Sequence, residues 1–303
     1  MRIGIPRALS YYHFHAFWEA FFANLGISVV VSGPTTRDLI QAGAAMMPAE
    51  ACLPLKCFAG HVASLANNAD AIFIPRIVCP RIHPSVKLAC PKLIGLPDVF
   101  RALCPDIDIL SLHIDSRTGK PSRAYYRLAA HLGYARNDAM NAYESARAQA
   151  CRAPAPGQQR RDPGTLAIGL AGHAYLVHDA ALHGHIADTL RSLDCDIVYA
   201  PDGLRDNRSA SDGPVPVVSW HFEQEILHDM AFFLAARHIH GIVYLLSFGC
   251  GAGSITSELI EYELRPHYPP KPLLRLLIDE HTAETALVTR LESFVDMIRE
   301  RRS

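Results

Sequence analysis

Residues 241–254 read Gly-Ile-Val-Tyr-Leu-Leu-Ser-Phe-Gly-Cys-Gly-Ala-Gly-Ser. An apolar, partly β-branched run enters a glycine-rich turn, and a helix is expected over 254–265. The same alternation recurs outward from this stretch. The second half carries strand patterns at 166–171, 195–199 and 273–278 and helical patterns at 176–193, 221–237 and 282–300. In the first half, strands are expected at 2–5, 27–31, 71–75 and 107–112. Helices are expected at Tyr11–Leu25, closed by Gly26, and at 35–43, 53–66 and 96–103, with a helix or helical pair over 121–150. Strands alternating with helices imply parallel sheets covered on both faces. The expected fold is α/β and bilobed, with a parallel sheet in each half. The N-terminal lobe is expected over 1–151, a Pro-, Gly- and charge-rich linker over 152–164, and the C-terminal lobe over 165–303.

Composition narrows the function classes. The 303 residues hold 29 basic and 30 acidic side chains, so no excess charge draws nucleic acid, and no basic stripe with interleaved aromatics suggests it. No run is long and apolar enough for a membrane span, and Met1–Pro6 is too short for a signal peptide. A cytoplasmic location follows as the expectation, and there thiols stay reduced. The eight cysteines then need an explanation other than disulfides.

In open parallel sheets, ligands bind beyond the carboxyl ends of strands. Cys250, His173 and the Asp279-Glu280-His281 segment follow expected strands. Cys79 comes soon after the strand at 71–75. In Gly249-Cys250-Gly251, glycines allow a sharp turn, and the following helix N-terminus favours a thiolate. The segment is not GxGxxG, and GxxxxGK[ST] is absent, so a phosphate loop is the weaker reading. A nucleophilic Cys250 with His173 or His281 as base is the stronger rival. Cys52 and Cys90 also sit where a loop enters a proline-marked helix. Cys57, deeper in its helix, reads as core. Three cysteines at such entries suggest convergence on an iron–sulfur cluster, and the absence of CxxC argues against a zinc ribbon. Of sixteen histidines, the pairs spaced by two cannot chelate from one helix face. His61 and His281 stand out because each lies near a cysteine-bearing or strand-end segment.

The chain resembles the 2-hydroxyacyl-CoA dehydratase activase-related proteins, which are related to cluster-bearing dehydratase subunits and double-cubane cluster proteins. The matching segments are Ile3–Leu9, Glu50–Lys56, Gly60–Val62, Ile72–Ile77, Cys90–Lys92 with Gly95–Pro97, Gly172–Tyr175, Phe248–Gly251 and Ile278–Thr282. The resemblance implies two Rossmann-like lobes of parallel sheet with a cluster-binding cleft between them, the cluster, [4Fe–4S] or double-cubane, ligated by Cys52, Cys90 and Cys250. Cys79 is a further metal candidate, and His61, His173, Gly249, Gly251, Asp279, Glu280 and His281 are candidates to line the cleft. It also implies an ATP-dependent activase acting in trans as the source of low-potential electrons, with a small-molecule or acyl-CoA substrate. Three functions are therefore open. The chain is a component of an ATP-dependent reductase or dehydratase, a non-catalytic electron carrier, or a metal-free cysteine-nucleophile enzyme.

Overall fold

The computed structural model describes residues 1–81, 87–152, 165–183, 185–200 and 214–302. Of the expected linker, only Arg152 lies within the described residues. The chain divides into two compact units. The first comprises Met1–Ala49, Leu55–Pro154 and Ser219–His221, and the second Glu50–Pro54, Ala155–Val218 and Phe222–Ser303.

The first unit is built on strands β1 (Arg2–Ile5), β2 (Ser28–Val31), β3 (Ala71–Phe73) and β5 (Ile109–Leu110). They form an all-parallel sheet in the order β2-β1-β3-β5. Helices α1 (Tyr11–Asn24), α2 (Arg37–Met46) and α3 (Leu53–Leu65) supply the crossovers. The aromatics of α1 pack where their spacing directs them. Phe21 and Phe22 are buried, Phe22 meets Phe73 edge-on at 5.1 Å, and Trp18 Nε1 donates to Tyr125 Oη at 3.0 Å. Each buried aromatic of this size contributes about 1.5–3 kcal/mol. Helices α2 and α3 approach backbone to backbone at Gly60, where a Cβ would strike the Leu39 carbonyl.

Two short elements depart from the expected pattern. The strand expected at 71–75 stops at Phe73 before Pro75, and β4 (Arg76–Cys79) begins. Of the strand expected at 107–112 only Ile109–Leu110 forms, and β4 pairs in parallel with β6 (His113–Asp115), which follows just beyond it. Pro75 has no N–H to continue the ladder, and the chain shifts to a second, two-stranded sheet. Residues 87–90 run beside it, with Ala89 N donating to Val78 O at 2.8 Å and Leu88 bridging Trp220. Cys90 then caps α4 (Pro91–Ile94), followed by α5 (Leu96–Leu103). The long segment 121–150 forms a helical pair, α6 (Ser122–His131) and α7 (Arg136–Ala150), divided at Gly133, which adopts φ +88°.

The second unit repeats the strand order. Strands β7 (Leu166–Gly172), β8 (Cys195–Val198), β9 (Gly241–Ser247) and β10 (Leu273–Ile278) are all parallel in the order β8-β7-β9-β10. β7 is buried along its whole length and β9 almost so, as near-continuous apolar strands between helical layers should be. The helix expected at 176–193 is instead α8 (Ala174–Val177) and α9 (Ile186–Ser192). Asp179 explains the break: its carboxylate accepts from the N–H groups of Ala181 and Leu182, which a continuous helix would have used internally. Helix α10 (His221–Ala235) connects β8 to β9, and α12 (Glu284–Glu300) ends the unit. Helix α11 (Gly251–Leu259) starts three residues before the expected 254, then passes through a π-helical stretch, Ile260–Leu264, into a 3₁₀ turn at Arg265–His267. Pro266, lacking an N–H, cannot continue the α ladder there. No helix among the described residues is long and apolar enough to cross a membrane.

Candidate functional site

The order β8-β7-β9-β10 makes a switch point between β7 and β9, because the chain leaves those two neighbouring strands in opposite directions. Two side chains follow directly from their carboxyl ends. His173 comes after β7 and caps α8, and Cys250 comes after β9 and caps α11. The third, Glu223, lies in the first turn of α10. His173 Nε2 is 3.0 Å from Glu223 Oε1. Cys250 Sγ, a His173 ring nitrogen and a Glu223 oxygen all lie within 4.8 Å of one another. His173 is 8% and Glu223 3% exposed. The His173–Glu223 approach is close without being an aligned hydrogen bond. Both ring nitrogens, Glu223 Oε2 and the buried Thr256 Oγ1 lack an aligned partner. Four such atoms in one pocket of the fold mark a place where a further polar group could be accommodated.

The electrostatics favour an ionised trio. Burial acts to raise the Cys250 thiol, but the polar contact and charge of His173, helped by the Gly253 N–H, prevail over Glu223 and bring it below the ordinary value. The Gly253 N–H donates to Cys250 Sγ at 3.3 Å, as expected of a cap at a helix N-terminus. Burial alone would depress His173, yet the Glu223 carboxylate and Cys250 push it up to about 10. Burial would raise Glu223, but the His173 charge holds it below the usual carboxylate range. His173 also stacks on Tyr175, with ring centroids 4.8 Å apart, which fixes the imidazole plane.

Cys52 belongs to the same unit through the segment Glu50–Pro54 and immediately precedes α3. Gly249 adopts φ +75°, and a Cβ there would lie 3.4 Å from Cys52 Cα and 3.3 Å from Glu50 O. The loop carrying Cys250 therefore packs directly on the backbone that carries Cys52. Gly249→Ala is expected to cost about 1–2 kcal/mol from the left-handed backbone alone, with more from the crowding. It should also separate the two cysteine-bearing segments. Denaturant unfolding, paired with crosslinking of Cys52 to Cys250 by a short bis-alkylating reagent such as dibromobimane, would check this. Wild-type stability and crosslinking in the variant would contradict it.

The remaining candidates sit elsewhere. Cys90 is in the first unit, as the cap of α4. Cys79 ends β4 fully buried, and its thiol donates to the Arg81 carbonyl at 3.1 Å. Burial and the nearby Asp115 raise its pKa, so it stays a thiol. Cys57 is fully buried on α3, as the core reading expected. His61 is fully buried, with Nδ1 at 2.8 Å from Ser32 Oγ and Nε2 at 3.0 Å from Thr35 Oγ1. Both its nitrogens are engaged by hydroxyls, the arrangement of a core histidine. Gly251 opens α11 with open space beside its Cα. Asp279 closes a turn after β10, accepting from the His281 N–H and the Thr282 hydroxyl at 2.9 Å each. Glu280 is 3.9 Å from the strongly exposed ring of His281. As a partner for Cys250, His281 is therefore displaced by His173. Glu223 was not anticipated. An acidic residue in a first helical turn ordinarily complements the helix dipole, and nothing in the sequence separates this one from that role.

Residues 2–202 match the family described as CoA enzyme activase uncharacterised domain (DUF2229). The chain belongs to this family. No curated protein matches it. Among solved structures it is similar to a LacI family transcriptional regulator from Arthrobacter sp. FB24 in complex with lactose, at 14% identity and a TM-score of 0.22. That alignment covers 98% of this chain and 91% of the regulator, a likeness too remote to bear on the fold or the ligand.

Proposed function

We propose that this member of the activase-related family is the iron–sulfur component of a CoA-enzyme activation system. In this reading it accepts low-potential electrons from an ATP-hydrolysing activase in trans, for reduction or dehydration of a small or acyl-CoA substrate. The observation that carries it is the packing of the Cys52 backbone on Gly249, beside Cys250, which is held toward its thiolate form. Cysteines at helix entries, with unpartnered buried polar atoms beside Cys250, suit a cluster's ligands. Cys52 and Cys250 would hold the group, with Cys90 as third ligand by the sequence resemblance. When bound, a [4Fe–4S] group with three thiolate ligands supplies one-electron chemistry and one iron open to an oxygen ligand. The chain's own contribution is to hold Cys250 ionised against burial, through His173 and the Gly253 N–H, and to fix the loop by the Gly249 turn.

The test is anaerobic purification with iron and acid-labile sulfide analysis. It is followed by spectroscopy with a reductant and ATP, with and without a family ATPase. Stoichiometric iron and sulfide, with reduction that requires ATP and the ATPase, are expected. Iron-free protein, or full reduction without them, would count against the proposal. The His173–Glu223 pair favours one second reading, in which Cys250 is a metal-free nucleophile and His173 its base. Rapid alkylation of Cys250 with turnover of a thioester, in protein lacking iron, would support that reading instead.

A further inference from the structure

We propose that Cys250, His173 and Glu223 also form a mononuclear site for a borderline divalent transition-metal ion of the zinc or ferrous class. The site and a cluster would compete for Cys250, so the site belongs to cluster-free protein, and His173 and Glu223 are ligands of the mononuclear ion alone. The donor set is one sulfur, one imidazole nitrogen and one carboxylate oxygen, all from the second unit. Softer donors of this kind select zinc-like ions over magnesium or calcium. In a tetrahedral site with bonds of about 2.0–2.3 Å, neighbouring donors stand roughly 3.3–3.7 Å apart. The His173–Glu223 separation of 3.0 Å and the 4.8 Å limit on the trio bracket that spacing, so small side-chain rotations suffice. The second, independent observation is the set of orphaned atoms. His173 and Glu223 are more than nine-tenths buried, and both ring nitrogens and Glu223 Oε2 lack aligned partners. A bound cation would take one ring nitrogen of His173 and a Glu223 oxygen, the other ring nitrogen being left as an N–H donor to a neighbour. Three protein ligands leave a fourth position open, as in catalytic rather than structural zinc sites.

Cobalt(II) provides the probe, because thiolate–cobalt charge transfer in the near ultraviolet and visible d–d bands report sulfur ligation and tetrahedral geometry. The full chain, stripped of metal under anaerobic conditions, is titrated with Co²⁺. One ion per chain is expected, with both band sets, bleached by equimolar Zn²⁺. His173→Gln and Glu223→Gln should weaken binding by more than about a hundredfold, since removing a ligand costs more than the 10–100-fold typical of its supporting partners. Cys52→Ser and Cys90→Ser should leave the titration unchanged while abolishing cluster iron, so the two proposals fail separately. A measurement on the unaltered chain guards against misfolded variants: Zn²⁺ should protect Cys250, mapped by mass spectrometry, from iodoacetamide. The proposal is overturned by absent charge-transfer bands, by bands that persist in His173→Gln, by dependence on Cys52 or Cys90, or by unchanged alkylation of Cys250.

Discussion

Cys250→Ser is expected to strip the anaerobically purified protein of essentially all its iron and acid-labile sulfide while leaving it folded. The two effects separate because Cys250 does two things. As the cap of α11, its side chain accepts from the Gly253 N–H, and serine is among the best residues for that task. As an anion held by His173, it is a ligand of the proposed cluster, and a serine hydroxyl does not ionise in this range. Helix α11 should therefore survive and the ligand be lost. Cys57→Ser and Cys79→Ser supply the contrast. Both thiols are fully buried, and Cys79 donates to a carbonyl, so these variants are expected to lose stability and keep their iron. Iron retained by Cys250→Ser, or lost by Cys57→Ser, would break the proposed ligand set.

The second large effect concerns Glu223. Removing one partner of a buried ion pair leaves the other uncompensated, and Glu223→Gln is expected to cost about 3–5 kcal/mol in metal-free protein. The pH profile gives the sign. His173 is raised from 6.5 to about 10, so its stabilisation is complete below pH 6.5 and lost as pH rises toward 10. Glu223 is depressed, so its stabilisation is present above 4.5 and lost as pH falls through its folded value. Cys250, depressed from 9.0, gains stabilisation up to pH 9 and offsets part of the His173 loss below that point. Above pH 9 the Cys250 gain is complete while the His173 loss continues, joined in the second unit by the burial-raised Cys195 thiol and the Tyr199 and Tyr244 phenols, so stability should fall steeply. Denaturation followed by far-ultraviolet circular dichroism at stepped pH would read this for the whole chain, the second unit's part being what tryptophan fluorescence does not show. Both tryptophans, Trp18 and Trp220, lie in the first unit, and their fluorescence serves as the control. A Glu223→Gln chain with the wild-type alkaline limb would show that the pair does not couple.

The sequence carried the sheet frame well where strands are long and apolar. The runs at 241–247 and 273–278 became β9 and β10, and alternation alone implied two parallel sheets. It failed at short strands, since β4 and β6 are only four and three residues long and periodicity has no room to register. It also failed at the 176–193 segment, where one Asp179 carboxylate diverts two N–H groups and outweighs helical spacing. In the site, Cys250 and His173 were legible because both follow strands at a switch point. Glu223 was not, because it reaches them from a helix fifty residues beyond His173, a tertiary fact with no local signature. The surroundings of His61 were illegible for the complementary reason, since the hydroxyls of Ser32 and Thr35 that engage it are supplied by a different stretch of sequence.

The short segments that each unit takes from the other's stretch of sequence affect how the protein is made. Leu88 donates to Ser219 O and accepts from His221 N at 2.9 and 2.8 Å, so the first unit is completed by residues encoded deep in the second half. At typical elongation rates those residues leave the ribosome roughly 7–27 s after Leu88. Through that interval the nascent first unit holds an unpaired backbone beside the Cys90 helix. The second unit has the opposite history, because its Cys52 segment is synthesised first and waits for the Gly249 turn to seat it. A gene split between the lobes would give two polypeptides, each missing a piece the other carries, and co-expression rather than separate production would be needed to recover either.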